Sequence, residues 1–240
     1  MKNPFRWVLL LIVLTYFSQL SLAQAPVDLA DEPYHSLLIQ NDYLRAFRVE
    51  IPHLKSTLLH KHGHDYVVIT LVDSNIRQAR AGEAPITYPR YAGDIRYIHG
   101  GIAHTMINDE AMTYRNITVE IARPDSSLYD SFRTQDSFRD VLSPGVDPHA
   151  KYGVTLDKTG VKIWNVQLLP GDSQSRAQHG GPGQLIVALN DVELKQNGLS
   201  AESDNLRLDQ GEVKWLAGGA VYTLTNTGKD PAQFVIFEIK

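Results

Sequence analysis

Three histidines stand at alternate positions where a polar segment leads into an apolar one. They are His60, His62 and His64, in the stretch LLHKHGHDYVVITL that covers residues 58–71. Successive side chains of a β-strand point to opposite faces, so a continuous strand would place these histidines and Tyr66 on one side. Imidazole is a common ligand of transition metals, and the spacing therefore indicates a metal site. The alternative is that the histidines are exposed polar residues of a solvent-facing strand.

A further histidine, His104, follows the glycine pair Gly100-Gly101. Glycines allow a strand to bend, so this turn can bring a third imidazole towards His60 and His62. Three histidine ligands leave coordination positions open, as a catalytic metal site requires. We predict that His60, His62 and His104 bind one divalent metal ion. Iron, zinc, manganese and copper all suit these ligands, and the residue types do not separate them.

The sequence contains an internal repeat. With an offset of 118 residues, GDIRYIHGGIAHTMIN (93–108) aligns with GEVKWLAGGAVYTLTN (211–226), and the register holds without a gap from Asp65 to the C-terminus. An offset that persists over this length indicates two copies of one structural module.

The second copy has lost the histidines. Gln178, Gly180 and Tyr222 stand where the first copy has His60, His62 and His104. We therefore predict a metal site in the first copy and none in the second. Asn108 keeps a counterpart, Asn226, in the copy without ligands, and this favours a structural role for both asparagines.

Each copy consists of short runs rich in β-branched and aromatic residues, separated by turn signals. The first copy has LRAFRVEI, YVVITL, IRYIHG and RNITVEI, and the second has VKIWNVQLL, QLIVAL, EVKWLAGG and QFVIFEI. Short strands at regular spacing predict an all-β sandwich or closed barrel for each copy.

Composition limits the classes of function. Of the 240 residues, 43% are hydrophobic and 21% are charged, which is typical of a globular protein. The formal net charge is −4 and no dense cluster of Lys and Arg occurs, so we expect no nucleic-acid partner. The chain has no cysteine, so a bound metal would have to take histidine or carboxylate ligands.

The N-terminal segment MKNPFRWVLLLIVLTYFSQLSLAQA has a basic start, a short apolar stretch and small residues before Gln24. This layout is typical of a secretory signal peptide, which we assign to residues 1–23. The alternative is a membrane anchor, but Ser18 and Gln19 interrupt the apolar run early. We expect a periplasmic or secreted protein with no membrane contact after cleavage.

Two motifs resemble those of the cupin superfamily. His60-x-His62 before an apolar strand is similar to the first motif, and Gly101-x-x-His104-x-x-x-Asn108 is similar to the second. The resemblance implies two tandem jelly-roll β-barrels, a bicupin, with a metal inside a barrel. Accordingly, we place the N-terminal barrel at residues 24–122, a linker at 123–153 and the C-terminal barrel at 154–240. A short helix is predicted near residues 131–141 of the linker.

One position departs from the cupin pattern. The superfamily usually has Glu four residues after the second histidine, and here that residue is Tyr66. Either three histidines form the whole ligand set or His64 supplies a fourth ligand. Some cupin oxygenases resemble this arrangement, with three histidines on iron and a nearby tyrosine. We therefore name Tyr66 and His64 as candidate catalytic residues.

Three classes of function follow. The first is a metal-dependent enzyme that acts on a small molecule by oxygenase- or isomerase-like chemistry. The second is a non-catalytic cupin that binds a small molecule or carbohydrate. The third is a structural or envelope-associated protein that uses the barrels alone. A homo-oligomer is compatible with each class.

The remaining histidines lack a motif. His99 lies five residues before His104, so on a strand it should face away from the site. His35, His53 and His149 are predicted to lie on the surface.

Overall fold

A computed structural model describes residues 25–122, 141–142, 152–158, 160–177, 181–198, 204–219 and 221–240. The predicted signal peptide, His149 and most of the predicted linker lie outside these ranges. The predicted helix over 131–141 also lies outside them, except for Val141, which begins a short strand. Among the described residues, no helix has the length and hydrophobicity of a membrane-spanning segment.

The N-terminal half forms two facing sheets. Its strands are β1 (Val27–Asp28), β2 (His35–Gln40), β3 (Leu44–Ile51), β4 (Lys55–Ser56), β5 (His60–Lys61), β6 (Tyr66–Thr70), β7 (Ser74–Arg80), β8 (Ile86–Arg90), β9 (Ile95–Ile98), β10 (Ala103–Asn108), β11 (Tyr114–Ile121) and β12 (Val141–Leu142), with a 3₁₀ helix at Leu29–Asp31. One sheet has the order β1-β5-β10-β7-β8, with β4 paired to β10, and the other has the order β12-β9-β6-β11-β3-β2.

The C-terminal half repeats this arrangement. Its strands are β13 (Tyr152–Lys158), β14 (Val161–Leu168), β15 (Ser173–Ala177), β16 (Gly183–Ala188), β17 (Val192–Gly198), β18 (Asp204–Leu208), β19 (Val213–Ala217), β20 (Val221–Asn226) and β21 (Ala232–Ile239). They form sheets of order β13-β14-β21-β16-β19 and β15-β20-β17-β18. The prediction of an all-β protein with two tandem barrels is confirmed. The exact domain boundaries stay predictions.

The predicted continuous strand through residues 60–70 is wrong. β5 ends at Lys61 and β6 begins at Tyr66, and the two strands belong to different sheets. The chain crosses from one sheet to the other through the bend at residues 62–65. A Cβ atom on Gly100 would collide with the backbone of His64, so Gly100 allows this close passage.

The two barrels share one hydrophobic core. In β11, Ile117, Val119 and Ile121 face away from the first barrel's interior and belong to the same cluster of buried residues as Val235 and Phe237 of β21. The outer faces of the two central sheets therefore pack against each other. This explains why these strands are apolar on one face even where the other face is polar.

Asn108 and Asn226, which occupy matching positions in the two copies, make equivalent hydrogen bonds. Asn108 donates through Nδ2 to the carbonyl oxygens of Ile51 and Met112, both at 2.8 Å. Asn226 donates through Nδ2 to the carbonyl oxygens of Leu168 and Asp230, at 2.9 and 2.8 Å. The predicted structural role of Asn108 is confirmed, because each amide closes the same turn in its barrel.

Candidate metal centre

Three elements bring the predicted ligands together inside the first barrel. His60 in β5 is the direct cross-strand partner of His104 in β10, and His62 follows β5 at the start of the crossing bend. The exposed fraction is 1% for His60, 2% for His62 and 4% for His104. Each imidazole offers one nitrogen, and these ligand atoms all lie within 4.8 Å of one another.

The three imidazole rings lie close together, and their planes are not all parallel. The ring centroids of His60 and His104 are 4.5 Å apart, those of His60 and His62 are 5.5 Å apart, and those of His62 and His104 are 5.3 Å apart. Metal–nitrogen bonds of about 2 Å suit a cation placed between rings at such separations.

The hydrogen bonding of the rings fits a metal. His60 Nδ1 lies 2.9 Å from the carbonyl oxygen of Leu58, which requires a donor there and leaves the Nε2 lone pair free. Nδ1 of His62 and Nδ1 of His104 are buried with no hydrogen-bond partner in the described part of the chain. Buried polar atoms without partners are rare, and a missing ion is one explanation for them.

The protonation of the rings also fits a metal. Burial, followed by the positive charge of a nearby His35, lowers the pKa of His60 to about 4. Burial and the neighbouring imidazoles hold the pKa values of His62 and His104 well below the ordinary value. All three rings are therefore neutral at physiological pH, which is the form that binds metals.

A buried carboxylate missed by the sequence analysis supports His62. Glu120 in β11 is fully buried, and its Oε1 lies 3.5 Å from His62 Nδ1. Arg45 donates to Glu120 Oε2 through Nε at 2.9 Å, and the backbone N–H of Gly63 donates to Oε1 at 3.1 Å. The carboxylate therefore holds the bend that carries His62 and lies beside the His62 ring at ion-pair distance, without a hydrogen bond to it. The available signal was an acidic residue in the apolar strand NITVEI.

His35 was also missed, and its predicted surface position is wrong. It is 9% exposed, and its ring centroid lies 5.0 Å from that of His60. Its Nδ1 is 2.5 Å from Oε2 of the buried Glu32, which also accepts hydrogen bonds from the N–H groups of Tyr34 and Leu58. No sequence motif marks His35, because β2 reaches the site through its pairing with β3.

The structure separates the two candidate catalytic residues. Tyr66 is buried, lines the same cavity and stacks on His62, with ring centroids 3.6 Å apart and planes inclined by 7°. His64 is half-buried in the crossing bend and is not among the residues that line the cavity. His53 and His99 are exposed, as predicted.

Asp65 joins the two segments that carry His62 and His104. Its side chain accepts hydrogen bonds from the Tyr97 hydroxyl at 2.6 Å and from the Gly100 N–H at 3.1 Å. Burial acts to raise the pKa of Asp65, but these hydrogen bonds and the neighbouring His99 outweigh it and lower the pKa. Because Gly100 precedes the turn into β10, this carboxylate sets the approach of His104.

The three histidines line one wall of a small cavity between the two sheets. Its other lining residues are His35, Val49, Tyr66, Val68, Gln78, Arg90, Arg96, Ile98, Met106, Tyr114, Asn116 and Thr118, and it holds about 40 Å³. Many of the lining residues bring a polar group to a partly apolar cavity, and convergent polar groups in such a cavity indicate a ligand site.

The second barrel shows how the same fold closes its centre. Tyr222, which matches His104, donates a hydrogen bond to Oε1 of Gln184, which matches Tyr66. Both side chains are buried, so a neutral hydrogen-bonded pair replaces imidazoles at this point. The positions that match His60 and His62 lie outside the described residues.

Comparison with known proteins adds evidence on the fold. No family model and no curated protein sequence matches the chain. Among solved structures, salicylate 1,2-dioxygenase from Pseudaminobacter salicylatoxidans superimposes with a TM-score of 0.57 at 11% identity, covering 85% of this chain and 76% of that one.

Two further structures are similar over nearly their whole length. AerE from Microcystis aeruginosa gives a TM-score of 0.54 at 13% identity and covers 87% of this chain and 98% of that one. The cupin 2 conserved barrel domain protein from Leptotrichia buccalis gives a TM-score of 0.53 at 11% identity, with coverage of 91% and 93%. The fold of this chain is therefore of the cupin type, and its buried histidine group points to a metal ion.

Proposed function

We propose that this protein is a secreted bicupin that binds a divalent metal through His60, His62 and His104 and transforms a small molecule at that site. The observation that carries the proposal is the buried group of three neutral imidazoles with ligand atoms within 4.8 Å. A bound metal would supply Lewis-acid or redox chemistry, because three protein ligands leave positions open.

The chain's own residues would hold and enclose the ligand. Glu120 and Leu58 orient the rings of His62 and His60, and Tyr66 packs flat on His62. The site lies between two sheets, where electrostatic contacts are stronger than in bulk water. Groups held in place by such contacts need little rearrangement, which supports catalysis.

Oxygenase-like chemistry is the reaction class we favour. One of the similar structures is a salicylate 1,2-dioxygenase, and a mutant of that enzyme is known in complex with gentisate. This likeness supports a small-molecule substrate, and isomerase-like chemistry would use the same ligands. Secretion is proposed from the first 23 residues alone, and N-terminal sequencing of protein from the periplasm of a Gram-negative host would test it.

The second candidate is a non-catalytic binding protein of the cupin type. It is favoured by the state of the nearby carboxylates, since Glu120 is held by Arg45 and Gly63, and Glu32 by His35, Tyr34 and Leu58. Neither carboxylate is free to take a proton from a substrate. If the metal-loaded protein turns over none of the carboxylates and sugars tested, this candidate is favoured.

Elemental analysis tests the metal site directly. The wild-type chain, purified gently and reconstituted with Fe(II), Zn(II), Mn(II) or Cu(II), is expected to hold about one ion per chain. His62→Ala should lose most of it, because two imidazoles bind far more weakly than three. His53→Ala is the matched control and should retain the ion, since His53 is exposed and does not line the cavity. A wild type without metal would overturn the proposal.

A further inference from the structure

Two arginines are buried in the same cavity as the histidines. Arg90 ends β8 and Arg96 lies in β9, and their exposed fractions are 4% and 9%. Both line the cavity together with His60, His62 and His104. Burial of a charged group is costly unless the charge is compensated, so two such residues in one cavity require a reason.

The neighbouring groups compensate Arg96 only in part. Arg96 donates through Nη2 to Oδ2 of Asp94 at 3.1 Å and to the carbonyl oxygen of Pro89 at 3.3 Å. Arg90 donates through Nη1 to the same carbonyl oxygen at 3.3 Å. Nε of Arg96 is buried and has no hydrogen-bond partner among the described residues. An unused buried N–H of a guanidinium group is a donor that an anionic ligand can satisfy.

Both charges face Tyr114 at the inner side of β11. Burial raises the pKa of the Tyr114 phenol, and the positive charges of Arg90 and Arg96 act in the opposite direction. Tyr114 and the two arginines line the same cavity. Asp94, His35 and the three histidines are the other titratable groups near this space.

The second barrel shows that the fold does not need this polar lining. The matching positions are Arg90 and Leu208, Thr70 and Ala188, Tyr114 and Ala232, Asn116 and Phe234, and Thr118 and Ile236. All five residues of the second barrel belong to its hydrophobic core. Arg96 matches another cation, Lys214, but these five polar residues are particular to the barrel with the three histidine ligands, which favours a role in ligand binding over a role in folding.

The cavity limits the size of the ligand. It holds about 40 Å³, whereas sites for drug-sized ligands usually hold about 300–1,000 Å³. One water-sized probe fills roughly 10–15 Å³, so the cavity takes a ligand of only a few non-hydrogen atoms.

We propose that Arg90 and Arg96 bind the carboxylate of a small aliphatic acid whose other end faces His60, His62 and His104. The planar guanidinium group matches a carboxylate through two parallel N–H···O hydrogen bonds. This inference deepens the proposed function, because it names the substrate class of the same site, and its position between the arginines and the metal ligands rests on that function.

Calorimetric titration of the full chain with sodium acetate and sodium glycolate tests the proposal. Acetamide is the control ligand, because it has nearly the shape of acetate without the charge. Acetate and glycolate are expected to bind at least about tenfold more tightly than acetamide. Salicylate is expected to bind more weakly than glycolate, because its ring exceeds the cavity. Tighter binding of salicylate or of acetamide would overturn the proposal.

Two variants assign the binding to the arginines. Arg90→Leu and Arg96→Lys introduce the residues that the second barrel carries at the matching positions, Leu208 and Lys214, so both are compatible with the fold. Each is expected to weaken glycolate binding about tenfold or more, and Lys214→Met in the second barrel should leave it unchanged. Circular dichroism checks the folding of each variant. Folded variants of both arginines that bind glycolate like the wild type would overturn the proposal.

Metal content measured on the same samples separates this inference from the proposed function. Glycolate binding that persists after chelator treatment and still depends on the arginines would support the carboxylate site even if no metal binds. A wild type that holds metal and binds no small carboxylate would overturn the carboxylate site and leave the metal site intact.

Discussion

At the scale of single residues, the candidate metal centre combines side chains with different roles. Three buried imidazoles are kept neutral by burial and offer lone pairs, and Glu120 fixes one of them without joining the ligand group. Tyr66 stands where many cupins place a carboxylate ligand, and here its ring supports His62 by stacking. The carboxylate has in effect moved from the ligand position to the neighbouring strand, because Glu120 is the cross-strand partner of Tyr66.

Glu120→Gln is expected to lower metal affinity by about 10–100-fold, as loss of a carboxylate behind a histidine ligand typically does. The amide keeps the size of the side chain but loses the charge that orients the His62 ring. Competition with a fluorescent chelator measures the affinity. Glu238→Gln is the matched control, since Glu238 holds the same position in the second barrel and contacts Trp164. Equal affinity in the two variants would contradict this role.

Tyr66→Phe is expected to retain stoichiometric metal, because the phenyl ring keeps the stacking on His62. Tyr66→Ala removes that ring and should lower metal content in the same elemental analysis. If Tyr66→Phe alone abolishes turnover of an identified substrate while metal remains, the hydroxyl takes part in the reaction. Loss of metal in Tyr66→Phe would show that the hydroxyl, rather than the ring, supports the site.

At the scale of elements, the site depends on a strand that breaks. The alternate spacing of His60, His62 and His64 predicts one face only if the strand is continuous, and the crossing bend removes His64 from the cavity. The bend is held by hydrogen bonds from Gly63 to Glu120 and from Gly100 to Asp65. The second barrel has Gly183 in place of Asp65 and packs Trp215 against it, so the ionic tie is particular to the first barrel.

Asp65→Asn should therefore destabilise the protein by about 1–3 kcal/mol at pH 7, because hydrogen bonds to a charged group are lost. The folded-state pKa of Asp65 is lowered, so its contribution is complete above the ordinary pKa of 3.8 and is lost as pH falls through the folded-state value. Urea unfolding at pH 7 and pH 3 measures the difference between wild type and variant, which should shrink at pH 3. Asp42→Asn, at an exposed site, is the control. A difference that does not change with pH would contradict the ionic role.

At the scale of the whole molecule, the sequence predicts the features that depend on the internal repeat or on the spacing of nearby residues. The offset of 118 residues and the strand-like runs predicted two all-β barrels, and the spacing around His60 and His104 identified three residues that the fold brings together. Glu120, His35, Arg90 and Arg96 were not predicted as site residues, because they reach the cavity from strands whose pairing the sequence does not specify. All four are polar residues in strands. Sequence periodicity alone does not distinguish a polar residue that faces a cavity from one that faces solvent.

The two barrels also depend on each other, since the outer faces of their central sheets form one hydrophobic core. Tyr43 stacks on Trp215 with ring centroids 6.3 Å apart, and Arg115 donates to the side chain of Gln210 at 3.0 Å. Gln210 in turn donates to the carbonyl oxygen of Leu71 at 3.2 Å. The barrel without the three histidine ligands thereby covers an apolar face of the barrel that carries them, which gives it a structural role.

We expect the barrels to unfold in one cooperative transition. If the first 23 residues are removed as predicted, the remaining tryptophans, Trp164 and Trp215, both lie in strands of the second barrel. Their fluorescence reports that barrel and, through the contact of Trp215 with Tyr43, its interface with the first barrel. Hydrogen exchange of the β11 amides over the same urea series reports the first barrel. Val235→Ala, in the shared core, should destabilise the protein by about 2 kcal/mol and shift both signals equally. A variant in which only the tryptophan signal shifts would show that each barrel is stable alone, because a cavity on one side of an uncoupled interface cannot affect the other side.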